Sequence, residues 1–173
     1  MKKITFLVCF VMASLTTIYS QGTLGVGGKQ LNAGVGFSNW GTPVYVGMDF
    51  GVHESITIGP KFSYRSYGYS YPALGVSINQ TLMVFSFNGN YHFNKLFNLP
   101  SKWDIYAGAS LGYYLWSTPT YNGQTLASGV QGSGMGFDGQ VGTRYFFTNK
   151  FGVNLEFGGG TGTGGNFGIT LKL

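Results

Sequence analysis

The chain has 173 residues, only 9% of them charged, with 30 glycines, 15 phenylalanines, 12 tyrosines and a formal net charge of +5. A water-soluble domain carries about a quarter charged residues, so this composition argues against one. The small basic excess leaves no nucleic-acid footprint.

Lys2 and Lys3 precede an apolar run from Ile4 to Leu15 and then small or polar residues up to Ser20, the layout of a secretory signal peptide. Residues 1–20 are therefore predicted to be a cleaved signal and 21–173 the mature domain, although a cut after Ser20 puts Ile18 where the peptidase prefers a small residue. The alternative is a membrane anchor, for which the run falls short of the ~20 residues a spanning helix needs. The sole cysteine, Cys9, lies in the signal, so the mature domain is expected to have neither disulfide nor thiol nucleophile. Losing Lys2 and Lys3 takes the formal charge from +5 to +3, eight basic residues against five acidic.

Beyond residue 20 the apolar pattern has a period of two, the signature of a strand with one apolar face, and eight segments carry it. The first sets Leu31, Ala33, Val35 and Phe37 against Asn32, Gly34, Gly36 and Ser38, and the second sets Val44, Val46, Met48, Phe50 and Val52 against Tyr45, Gly47, Asp49 and Gly51. In the third, Ile56, Ile58, Phe62 and Tyr64 oppose Thr57, Gly59, Lys61, Ser63 and Arg65; Pro60 lacks an amide, which predicts a bulge or a missing ladder hydrogen bond. The fourth sets Met83, Phe85, Phe87, Tyr91 and Phe93 against Ser86, Asn88, Asn90 and His92, with Leu82 and Val84 breaking the polar phase. The fifth alternates from Trp103 to Leu115, with Asp104, Tyr106, Ser110 and Tyr114 on the polar phase. Met135, Phe137, Val141, Tyr145 and Phe147 oppose Asp138, Gln140 and Arg144 in the sixth, and Phe151, Val153, Leu155 and Phe157 oppose Asn154 and Glu156 in the seventh. The eighth, with Phe167, Ile169, Leu171 and Leu173 on one face, ends with the chain.

After Tyr19 no apolar stretch is long enough for a membrane helix. In hydrocarbon every backbone amide and carbonyl needs a partner, so a sheet crosses only by closing on itself. The predicted fold class is all-β: an eight-stranded antiparallel up-and-down transmembrane β-barrel with a side-chain-filled polar interior. The rival, a soluble lipocalin-type barrel, would turn its apolar face inward. Charge placement favours the membrane. Eight charges, Asp49, Lys61, Arg65, Asp104, Asp138, Arg144, Glu156 and Lys172, fall on the polar phase of strands, four of each sign. They form the predicted charge network of the lumen, with no solute channel. Arg144 and Glu156 flank one hairpin and are the candidate direct pair; the alternative is that each charge meets only water and hydroxyls. Gly47, Gly108, Gly112 and Gly142 are expected to make room for Lys61, Arg65 and Arg144.

With both termini periplasmic, inner turns are expected at 53–55, 94–102 and 148–150, and outer loops at 39–43, 67–75, 117–133 and 158–165. Tyr67, Tyr69, Tyr71 and Tyr121 are candidate loop contacts. Exposed tyrosines either bind a protein or glycan or rest on lipid headgroups.

The alternation, the terminal series Phe167, Ile169, Leu171, Leu173 and the inward charges together resemble the small outer-membrane barrels of Gram-negative bacteria, the group that includes OmpX, the transmembrane domain of OmpA and the opacity-type adhesins. The likeness spans nearly the whole mature chain, although this group's insertion signal ends in an aromatic residue and Leu173 is not one. The resemblance implies outer-membrane location, contact with lipids and lipopolysaccharide, insertion by the outer-membrane assembly machinery, and roles in adhesion, envelope integrity or protection. Peptidoglycan anchoring is not expected, since no further domain follows Leu173. Two alternatives are an accessory subunit of a larger outer-membrane complex and a lipid A-modifying enzyme.

Enzymatic chemistry is not expected. His53 and His92 lack the neighbours of a metal site, and no cofactor motif is present: the glycines of 158–165 have no P-loop lysine. His53, Glu54 and Ser55 read as a triad only on paper, because neighbours in a tight turn point apart. His53 and Ser55 share the spacing of a lipid A deacylase motif but fall in a predicted periplasmic turn, away from the outer leaflet.

Overall fold

The computed structural model describes residues 23–71, 76–121, 124–125 and 132–173; the expected signal, residues 1–20, lies outside them. Among the described residues ten strands form: β1 Lys29–Ser38, β2 Val44–His53, β3 Ile56–Tyr71, β4 Val76–His92, β5 Trp103–Trp116, β6 Thr120–Tyr121, β7 Gln124–Thr125, β8 Gly134–Phe146, β9 Phe151–Gly160 and β10 Gly164–Lys172, with one short helix, α1 Asn94–Phe97. Eight of them close a barrel. All neighbours are antiparallel, and the last strand pairs with the first from Gln30↔Lys172 to Ser38↔Gly164. Closure leaves no bare edge in the wall, which hydrocarbon would penalise.

Side chains sort by the period of two. Leu31, Val35, Val46, Phe85, Phe87, Leu111, Phe137, Val141, Phe167 and Ile169 are exposed on the outside, while Gln30, Thr57, His92, Asp104, Arg144 and Thr170 are buried inside. An apolar belt of this extent is untenable in water and is what lipid requires. The barrel is therefore polar within and apolar without. Aromatic side chains gather toward the end of the barrel that carries the chain termini: Tyr91 and Phe93 meet at 5.2 Å, Trp103 and Tyr145 at 4.9 Å, and Tyr145 and Phe147 at 5.3 Å, an interfacial girdle.

Several local expectations are corrected. The second outer loop is mostly strand: β3 and β4 stay paired as far as Tyr71↔Val76, whereas β2 stops at Val44↔Tyr64. The hairpin thus rises above the wall, and β6 adds to it through Ile78↔Tyr121, followed by β7. The fourth outer loop shrinks to residues 161–163, because β9 and β10 extend through their glycines. At Pro60 the second of the two expected outcomes holds, an interrupted ladder rather than a bulge: pairing is missing between Gly47↔Lys61 and Phe50↔Ile58 with the register unchanged, and the register shift falls between Gly51 and His53, beside the turn.

Leu82 and Val84, which break the polar phase of β4, form a buried apolar cluster with Tyr114, against which Trp40 and Trp116 pack. This cluster sits at the end of the interior away from the chain termini, where Trp40 of the 39–43 loop packs on it. Truncating Leu82, which is fully buried, is expected to cost about 2–5 kcal/mol. The check is urea unfolding of Leu82→Ala followed by fluorescence of the three tryptophans; an unchanged midpoint would mean the cluster carries no packing load.

At the opposite end Lys95 of α1 pairs with Glu54 at 2.8 Å, both exposed. Its hydrogen bond, then its charge, holds the Glu54 carboxyl below its ordinary range. This contribution exists above the unfolded carboxyl's titration and fades as pH falls through the depressed one, and for an exposed pair it is small.

Candidate functional site

The chemistry of the chain is concentrated along the barrel axis, where inward positions of all eight wall strands converge. Deepest is a cluster around Arg144 of β8. Its Nη2 donates to Asp49 Oδ2 at 2.6 Å and its Nη1 to Asp104 Oδ2 at 3.0 Å, while its guanidinium lies 4.3 Å from the Tyr106 ring centroid. Asp49 also accepts from Asn32 at 2.9 Å, and Asn32 accepts from Thr170 at 2.6 Å. Taking two carboxylates and a guanidinium out of water costs several kcal/mol per ion, and pairing must repay it.

Asp104 has a second partner. Its Oδ1 lies 2.7 Å from His92 Nδ1, and His92 Nε2 lies 2.9 Å from Thr57 Oγ1. Thr57, His92 and Asp104 stand in the order of a relay triad, yet each is at most 1% exposed, and none lines the interior cavities described below. The line holds the His92 imidazole between Thr57 of β3 and Asp104 of β5.

One layer outward, Lys61 of β3 donates to Glu156 Oε1 of β9 at 2.5 Å. Tyr106 and Asn166 also donate to Glu156, at 2.9 Å and 3.2 Å. The expected pair of Arg144 with Glu156 is therefore corrected. Across β8–β9, Arg144 faces Asn154, and Glu156 faces Gly142, so the hairpin holds them in different layers. Tyr45 completes this level, donating to Asn154 at 2.5 Å and lying under Lys61.

The remaining predicted residues lie toward the two ends. Arg65 Nη1 donates to Ser38 Oγ at 3.0 Å. Asp138 accepts from the Tyr114 hydroxyl and, at 2.7 Å, from the Gly162 amide. Lys172 sits over the Phe146 ring at 4.1 Å, at the terminal end. Tyr69, Tyr71 and Tyr121 are placed by backbone register, opposite Ile78, Val76 and Ile78 respectively, and Tyr67 opposite Gln80.

Glycine provides the space, for an expected side chain at Gly47 and for others elsewhere. A Cβ on Gly47 would meet the Lys61 stem at 3.4 Å, but one on Gly142 would strike the Tyr106 ring, and those on Gly108 and Gly112 would meet Asn90 and Ser86. Gly142→Val is therefore expected to push Tyr106 off Glu156 while the barrel still closes. Loss of the Tyr106 hydroxyl-proton resonance in the variant checks this; an unshifted resonance would contradict the contact.

Two spaces remain along the axis, a partly open one of about 90 Å³ in the outer half and one of about 20 Å³ near Arg144, both bordered by Lys61 and Glu156. A water needs at least about 10–15 Å³, so the inner space is of single-water size. Among the described residues no group of acidic, histidine or cysteine side chains forms a metal site. His53 Nδ1 accepts from the Ser55 backbone amide at 3.2 Å, which ties the His53–Ser55 turn together and turns that ring nitrogen to the backbone.

No family model matches the chain, and no curated protein does. Among solved structures the barrel is similar to the outer membrane protein OprG of Pseudomonas aeruginosa, with a TM-score of 0.63, 9% identity and coverage of 89% of this chain and 99% of that one. It is also similar to the N-terminal β-barrel domain of Pseudomonas aeruginosa OprF, with a TM-score of 0.55, 16% identity and coverage of 86% and 99%. Neisserial surface protein A gives a TM-score of 0.54, 12% identity and coverage of 84% and 94%. At such identities the likeness is one of fold, and the chain has the fold of the small eight-stranded outer-membrane β-barrels.

Proposed function

We propose that the chain is an integral outer-membrane protein that works without catalysis, exported by residues 1–20 and held with both termini in the periplasm. The barrel is a rigid body, and the working part is the sheet that rises above it. One observation carries this reading: β3 and β4 continue as a paired hairpin from Arg65↔Leu82 to Tyr71↔Val76, beyond the last β2 pair. Tyr67, Tyr69 and Tyr71 continue the register phase of Arg65. Tyrosines present large contact area at low entropic cost, which suits adhesion to a protein or glycan. The charged groups around Arg144 and Glu156 are bonded to one another, which suits structure better than turnover.

The test replaces residues 67–80 by a two-residue Asn-Gly turn, which joins the paired Ser66 and Thr81, and assays surface binding of cells that display the barrel. The shortened protein is expected to keep its heat-modifiable gel mobility and lose binding. Retained binding would refute the hairpin's role, and stoichiometric co-purification of the shortened form with another envelope protein would favour an accessory subunit.

A further inference from the structure

Four charged side chains line the outer cavity: Lys61, Arg65, Asp138 and Glu156. Three are spent. Lys61 and Glu156 neutralise each other, and Asp138 takes Tyr114 and the Gly162 amide. Arg65 differs, because among the described residues no carboxylate forms an ion pair with it. Its Nη1 is held by Ser38, whose hydroxyl is itself committed, donating to the Gly41 carbonyl at 2.9 Å and accepting from the Trp40 amide at 3.2 Å. The buried Arg65 Nε meets no acceptor.

One arm of the guanidinium is thus fixed while its Nε–H is left without a partner, and a guanidinium fork matches the paired oxygens of an oxyanion. Ser63, Ser86 and Ser110 line the same space. Its volume, about 90 Å³, is several times the roughly 10–15 Å³ that one water needs, which is room for a small group. We infer that this cavity binds a single oxyanion group, phosphate, sulfate or carboxylate, through Arg65. Two sources supply that chemistry, a free anion entering from outside and the charged headgroup of a tethered glycolipid reaching over the rim.

The test follows the backbone amide resonances of Ser63, Ser86 and Ser110, which line the cavity, and in the unsubstituted protein the Arg65 Nε–H as well, in the full barrel in phospholipid nanodiscs while inorganic phosphate replaces chloride at constant ionic strength. A saturable shift is expected, with affinity at least about 10-fold lower in Arg65→Gln and intermediate in Arg65→Lys, which keeps the charge without the fork. Asp138→Asn, which removes the opposing charge, is expected to tighten binding. In nanodiscs containing lipopolysaccharide, a resonance already shifted and insensitive to phosphate identifies the tethered source; an unchanged titration identifies the free one. No saturable shift in either membrane, or equal affinity in Arg65→Gln with heat-modifiable mobility intact, overturns the site.

Discussion

Replacing Arg144 by methionine is expected to lower the unfolding free energy by about 3–5 kcal/mol, the range for removing one partner from a buried ion cluster. The loss comes chiefly from what remains. Asp49 and Asp104 are 3% and 1% exposed, and without the guanidinium each keeps a charge in a low-dielectric interior, Asp49 with Asn32 as a donor and Asp104 beside His92. Neutralising the whole cluster, with Asp49→Asn and Asp104→Asn added to Arg144→Met, is expected to recover much of that loss, because desolvation disappears along with attraction. Equilibrium urea unfolding in lipid vesicles measures both variants. A triple variant no more stable than the single one would show that hydrogen-bond geometry, rather than charge balance, sets the energy of this layer.

The second large effect lies on the opposite face. Ile169 is half-exposed near the middle of β10, beside Ala33 and Val153. Ile169→Arg places a cation in hydrocarbon and is expected to cost about 2–4 kcal/mol, whereas Ile169→Leu changes little. The same unfolding measurement reports it, and a neutral Ile169→Arg would mean this face does not meet lipid.

The faces were legible in the sequence because alternation is a local property: every residue placed outward by period two in β1, β5 and β10 lies on the exterior or at intermediate depth. The interior pairings were not legible. Which charge meets which depends on shear, the stagger between distant strands, and the Arg144 contacts join β8 to β2 and to β5. Adjacency in the β8–β9 hairpin suggested Glu156, but one step of two residues along the ladder moves a side chain into another layer. The partners that complete the clusters, Tyr45, Tyr106, His92, Thr57 and Asn154, all sit on the inward phase of the pattern; their neutrality hid their importance. Leu82 and Val84 violated the pattern because they pack with Tyr114, Trp40 and Trp116 inside the barrel rather than face ions. The extended hairpin was obscured by Tyr, Ser and Gly, which alternate too weakly to announce a strand.

The account rests on the direction in which each side chain faces, and lipid-to-protein nuclear Overhauser effects read that direction without any substitution. In nanodiscs, acyl-chain methylene protons are expected to contact the methyl groups of Leu31, Val46, Leu111, Ile169 and Leu171, and to give no contact with those of Thr57, Thr170, Leu82 and Val84. Acyl-chain contacts at Thr57 and Thr170, or water contacts at Leu111 and Ile169, would contradict it.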